Sequence, residues 1–93
     1  MPLQKPIIKW SAEAISDLKN IYYSLLTSRE GSTATLIRKE LLNAPKSIVF
    51  SEQYQQDEIF PKFRRIIVRN YRILYVIEND SIYIVTIVNS LQN

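Results

Sequence analysis

Between Phe63 and Val88 lie three runs dense in Ile, Val and Tyr: Phe63 to Val68, Tyr71 to Ile77 and Ile82 to Val88. They are parted only by Arg69-Asn70 and by the polar pair Asn79-Asp80. β-Branched and aromatic side chains suit a pleated surface, and links this short let a chain reverse only into an antiparallel neighbour. A three-stranded meander is therefore the first element expected. Such a sheet has an apolar face that needs a cover, and the residues before Phe63 have to supply it.

Ile7 to Trp10 form a short apolar run behind Pro6 and read as a further strand, with Ser11 placed to cap a helix. In that helix Ile15, Leu18, Ile21, Tyr22, Leu25 and Leu26 recur three and four apart on one stripe, turning Glu13, Asp17, Lys19 and Asn20 outward. Ser28 to Ser32 holds the only Gly and reads as a turn. Leu36, Ile37, Leu41 and Ala44 then mark a second amphipathic helix, stopped by Pro45. Lys46 to Pro61 is irregular and polar, a loop with at most a turn of helix, and its acids Glu52, Asp57 and Glu58 are expected to be solvated. The expected fold is α+β: an N-terminal strand, a two-helix hairpin, then a three-stranded antiparallel meander, with the helices packed on one face of the sheet. One domain is expected over residues 1–93.

An apolar content of 46% with a single Gly argues for packed elements over disorder. Without Cys or His there is no disulfide, no thiolate or imidazole metal ligand, and no Ser-His or Cys-His nucleophile pair. One Gly cannot build a phosphate-cradling loop, and the carboxylates are scattered rather than paired as a glycosidase requires. Neither a metal nor a cofactor is expected. No apolar run approaches the roughly 20 residues of a membrane helix, and the lack of Cys fits a reducing compartment, so the cytoplasm is the expected location.

The net charge of +3 is unevenly spread. Of twelve bases, five (Lys62, Arg64, Arg65, Arg69 and Arg72) crowd one short stretch with no acid among them, leaving seven against nine acids elsewhere. A local patch of this kind concentrates anions, and arginine is suited to forked contacts with phosphate. Basic residues on a sheet also serve simply as solvated guards against edge pairing. With Asn70 and Tyr71 as a two-residue loop, Arg69 would oppose Arg72, and Phe63, Arg65, Ile67, Arg69, Arg72, Leu74 and Val76 would share a face, Arg64 pointing to the other. With Asn79 and Asp80 as the second loop, that face continues through Tyr83, Val85, Ile87, Asn89 and Leu91. The opposite face, with Ile66, Val68, Ile73, Tyr75, Ile77, Ile82, Ile84 and Val88, would meet the helices. An apolar floor of Leu74, Val76, Val85 and Ile87 beside the arginines is too greasy to stay bare.

The opening WSAEAISDLKNIYYSL resembles the first-helix signature of RelE/ParE toxins, and FRRIIVRNYRILYVIENDSIYIVTIV resembles that family's two-hairpin core, a Tyr-Arg pair opening a strand that runs on to Leu and Tyr. KSIVFSEQYQQDE is similar to a subgroup labelled plasmid stabilisation proteins. The resemblance covers most of the chain. It implies the toxin half of a bacterial type II toxin–antitoxin pair, held inactive by a cognate antitoxin whose tail would fill the floor of Leu74, Val76, Val85 and Ile87, and free toxin pairing as a homodimer is one expected state. In the RelE branch the toxin enters the ribosome and cleaves mRNA. Arg72 and Arg65 would then be catalytic, with Arg69 and Lys62 holding flanking phosphates. The ParE branch instead blocks DNA gyrase by binding. Where the RelE branch carries a late arginine this chain has Leu91, and that branch's Tyr or His acid finds no match up to Asn93. A third form is a degenerate module whose remaining partner is the antitoxin.

Overall fold

A computed structural model describes residues 5–90. Strand β1 (Ile7–Trp10) leads into helices α1 (Ala12–Ser28) and α2 (Gly31–Asn43). After a 3-10 turn at Ala44–Ser47 and a long loop come β2 (Arg64–Val68), β3 (Tyr71–Glu78) and β4 (Ser81–Asn89). The sheet order is β1-β4-β3-β2, with β1 parallel to β4 and the other pairs antiparallel. This is the expected α+β arrangement, with both helices on one face. No helix among the described residues is long and apolar enough to cross a membrane.

Ser11 caps α1 as its sequence implies: its hydroxyl oxygen accepts the Ala14 N–H at 2.9 Å. The buried stripe of α1 is Ala14, Leu18 and Leu25, flanked by Ile21 and Tyr22, whereas Ile15 and Leu26 stay 46% and 40% exposed. α2 starts at Gly31 itself, so the link between the helices is shorter than the expected Ser28 to Ser32. Its inward side is Ala34, Ile37 and Leu41, with Leu36 left outside. These residues pack on Ile66, Ile73, Tyr75, Ile82, Ile84 and Ile87 of the sheet, whereas Ile77 at the far end of β3 is partly open.

The first hairpin loop is Arg69-Asn70, so Val68 opposes Tyr71 and Ile67 opposes Arg72. Against the pairing of Arg69 with Arg72 this is a slip of two residues, which leaves every β2 side chain on its expected face. Arg69 itself leaves the strand, its φ of 54° in the left-handed region. The second loop is Asn79-Asp80, as expected, but the ladder then shifts: Tyr75 opposes Ile84 while Leu74 opposes Thr86, making Val85 an extra residue. Beyond this bulge the faces of β4 exchange. Ile87 goes under the helices and Val88 goes opposite Arg72, each the reverse of expectation. The bulge is held from α1. Ser11 donates to the Val85 carbonyl at 2.7 Å, and the Asp17 carboxylate accepts the Thr86 hydroxyl at 2.5 Å and the Ile87 N–H at 3.0 Å. Asp17, expected to face solvent, is therefore a tie between helix and sheet.

Candidate functional site

On the face away from the helices the register sets Arg65 and Ile67 of β2 beside Arg72 and Leu74 of β3. The loop of residues 49–63 lies alongside. Its middle forms a short extra rung on β2, the Arg65 N–H donating to the Gln55 carbonyl at 3.0 Å and the Asp57 N–H to the Phe63 carbonyl at 2.8 Å. Three further contacts bind this strap to the fold. Arg64 donates to the Tyr54 carbonyl at 2.7 Å, the Tyr75 hydroxyl donates to the Ser51 carbonyl at 3.1 Å, and Tyr54 shares a hydrogen bond with Ser47. Tyr75 is fully buried, and that burial pushes its hydroxyl above the ordinary tyrosine pKa.

Past the rung, Asp57 turns its carboxylate onto Arg72. The Arg72 Nε donates to Oδ1 at 2.7 Å and Nη2 reaches Oδ2 at 3.5 Å, while Oδ2 also accepts the Ile59 and Phe60 N–H groups at 3.1 and 3.0 Å. Arg72 Nη1 lies 3.3 Å from the Ser90 hydroxyl. The side chains are 13% and 1% accessible for Arg72 and Asp57, a nearly dry ion pair. Burial alone would raise the Asp57 pKa, but the Arg72 guanidinium and the two backbone donors outweigh it and hold the carboxyl below its usual value. Arg65 donates through Nη1 to the Gln56 carbonyl. A cleft of about 310 Å³ opens over the pair, lined by Asp57, Glu58, Ile59, Arg65, Ile67, Arg72 and Ser90.

Arg65 and Arg72, singled out from sequence, thus meet in one cleft. Arg69 does not join them. From its turn it forks onto Glu40 of α2 at 2.8 and 2.9 Å, on the helix side of the sheet. Lys62 is exposed with its ammonium 5.4 Å from the centre of the Phe63 ring, outside the cleft lining. The apolar floor is divided. Leu74 is buried, Val76 half-buried, Val85 is the bulged residue and Ile87 is buried beneath the helices because the bulge turned it there. Leu91 lies outside the described residues. Sequence reasoning misses Asp57 as a site residue, along with Ser90. An Asp whose carboxylate takes the N–H groups two and three residues on is a recognisable turn former, yet nothing local marks Arg72, fifteen residues away, as its partner.

Residues 8–93 match the family described as ParE toxin of type II toxin-antitoxin system, parDE. Among solved structures, one titled "Chromosomal ParDE TA system from P. aeruginosa" superposes with a TM-score of 0.77 at 17% identity, covering 90% of this chain and 95% of that one. At that identity the likeness concerns the fold. No curated protein matches the sequence.

Proposed function

The chain belongs to the family of ParE toxins from type II toxin–antitoxin systems, and from that premise we propose that it arrests growth by binding DNA gyrase in the cytoplasm, breaking no nucleic-acid bond. The observation that carries this reading is the Asp57–Arg72 pair. To assist phosphodiester cleavage a guanidinium has to meet charge developing on the phosphate, and Arg72 already faces a buried carboxylate. Arg65 is tied to a backbone carbonyl and Arg69 to Glu40. With no His in the chain, no imidazole is available to move a proton either. A cognate antitoxin would cover the helix-free face, where Ile67 is 60% exposed and Val76 and Val85 are half-buried.

Purified chain added to a gyrase supercoiling reaction is expected to block it. Unchanged supercoiling at saturating toxin removes the reading. Mapping of cellular RNA after induction without antitoxin supplies the contrary outcomes. New ribosome-dependent cleavage sites that vanish with Arg72→Ala would establish the nuclease, with Arg65 and Arg72 as phosphate clamps and Arg69 and Lys62 outside them. Normal growth would leave a module that only binds its antitoxin.

A further inference from the structure

On the helix side of the sheet, Tyr71 opens β3 and Ile87 stands near the close of β4, turned inward by the bulge. Asp17, Asn20 and Ser24 of α1 follow one another at spacings of three and four, which sets them on one flank of that helix. Together these residues line a cavity of about 230 Å³, on the opposite face of the sheet from the Asp57–Arg72 pair. Ile21 and Ile87 make its apolar part. No lining residue is basic, and Asp17 alone is charged.

The Asp17 Oδ2 takes the Thr86 hydroxyl and the Ile87 N–H, but Oδ1 has no partner among the described residues. The same holds for the Asn20 amide, the Ser24 hydroxyl and the Tyr71 hydroxyl. No buried side-chain nitrogen or oxygen among the described residues lacks a partner, so the free ends of half-buried Asp17 and Tyr71 open on solvent. A carboxylate oxygen, steadied by the two bonds its twin makes, therefore stands amid neutral acceptors with no cation to answer it. A metal ion would need more: no group of three or more His, Cys, Asp or Glu able to hold one occurs among the described residues. A guanidinium spreads five donors in a plane and stacks on aromatic faces, which suits scattered oxygens beside a tyrosine, whereas an ammonium is a point charge. We propose that this cavity binds a guanidinium group, the side chain of arginine either free or borne by a peptide. Asp17 Oδ1 is its counter-charge, and Asn20, Ser24 and Tyr71 are further acceptors. The site goes beyond gyrase binding and leaves the Asp57–Arg72 pair intact.

The test is titration of the purified full chain, at constant ionic strength, with L-arginine amide and separately with a short blocked peptide holding one arginine. NMR follows the Thr86 and Ile87 amides and the Tyr71 ring. Saturable shifts there are expected for at least one probe, and the tighter probe tells free arginine from a peptide-borne side chain. The same probes with lysine in place of arginine are expected to bind at least about threefold more weakly. Asp17→Asn keeps an oxygen for Thr86 and Ile87 while removing the charge, and is expected to lower affinity about tenfold or more; Tyr71→Phe, which loses a neutral bond, about threefold. Glu13→Gln removes a charge from the same helix outside the cavity and is expected to change affinity by less than about twofold. No saturable shift, equal binding of the lysine probes, undiminished binding by Asp17→Asn, or an equal loss in Glu13→Gln each overturns the proposal. Should Asp17→Asn not fold, Asn20→Lys decides the matter. Position 20 is exposed and helical, and an ammonium placed beside Asp17 is expected to fill the site and abolish binding; unchanged affinity in that variant overturns it.

Discussion

Asp57 exchanges its hydration for four protein donors, and most of what is distinctive in this molecule depends on that exchange. A buried ion pair is a modest net stabiliser when intact, but removal of one partner strands the other, at a cost of roughly 3–5 kcal/mol. Arg72 keeps some access to water, so Asp57→Asn is expected near the low end, about 3 kcal/mol at neutral pH, or on the order of 15 °C in Tm. The pH dependence has a definite sign. The folded Asp57 pKa is depressed, so its contribution is complete above the unfolded value of about 4 and is lost as pH falls through the lower folded value. The Tm gap between wild type and Asp57→Asn is therefore widest at neutral pH and closes below about pH 4; thermal melts across that range check it, and a gap that widens in acid contradicts it. Glu40 is also shifted down, chiefly by its hydrogen bond to Arg69. That pair is exposed, and added salt is expected to erase its effect while sparing the Asp57 gap.

At the level of elements, the tie between α1 and the β4 bulge decides how the helices sit on the sheet. Ser11 serves two ends, capping α1 and donating to Val85, and further along the helix Asp17 takes Thr86 and Ile87. Ser11→Ala is expected to cost about 1–2 kcal/mol, the upper part of the range for a lost cap because a second bond goes with it. Thr86→Val, which leaves Asp17 short of a donor, should cost about 1–2 kcal/mol as well. Both act on one bulge, so denaturant unfolding of the double variant should depart from additivity by at least about 0.5 kcal/mol; strict additivity would mean the two ties work independently. The helices and strands are legible in the sequence because their apolar periods of 3.6 and 2 survive any error in pairing. The bulge is not. One additional residue changes no local preference, yet it carries Ile87 beneath α1 and brings Val88 to face Arg72. Asp17 escapes notice for a related reason: a polar residue on a helix looks solvated until the bulge presents it with an N–H to accept.

Across the whole molecule there are two layers of unequal firmness. The core lies between the helices and the sheet, where Ala14, Leu41, Ile73, Tyr75, Ile82 and Ile84 have no accessible surface. Residues 49–63 lie mostly outside it, with Val49, Phe50, Ile59 and Phe60 exposed and Tyr54 packed against the core, fastened largely by hydrogen bonds and one ion pair. In the sequence this stretch is only a polar loop, because its structure comes from contacts to arginines far along the chain rather than from any period of its own. Arg65 and Arg72 can be placed together from strand alternation, whereas the loop's hold on them, Asp57 on Arg72 and the Gln56 carbonyl on Arg65, cannot. A segment with few buried apolar contacts opens below the global unfolding free energy. In native-state hydrogen exchange the amides of Ile59, Phe60 and Phe63 are accordingly expected to exchange through local opening, well ahead of those in β3 and β4. Arg72→Ala should speed the three strap amides by a larger factor than it speeds Ile73 or Ile84. Uniform acceleration of strap and sheet would instead mean that strap and core unfold as one unit.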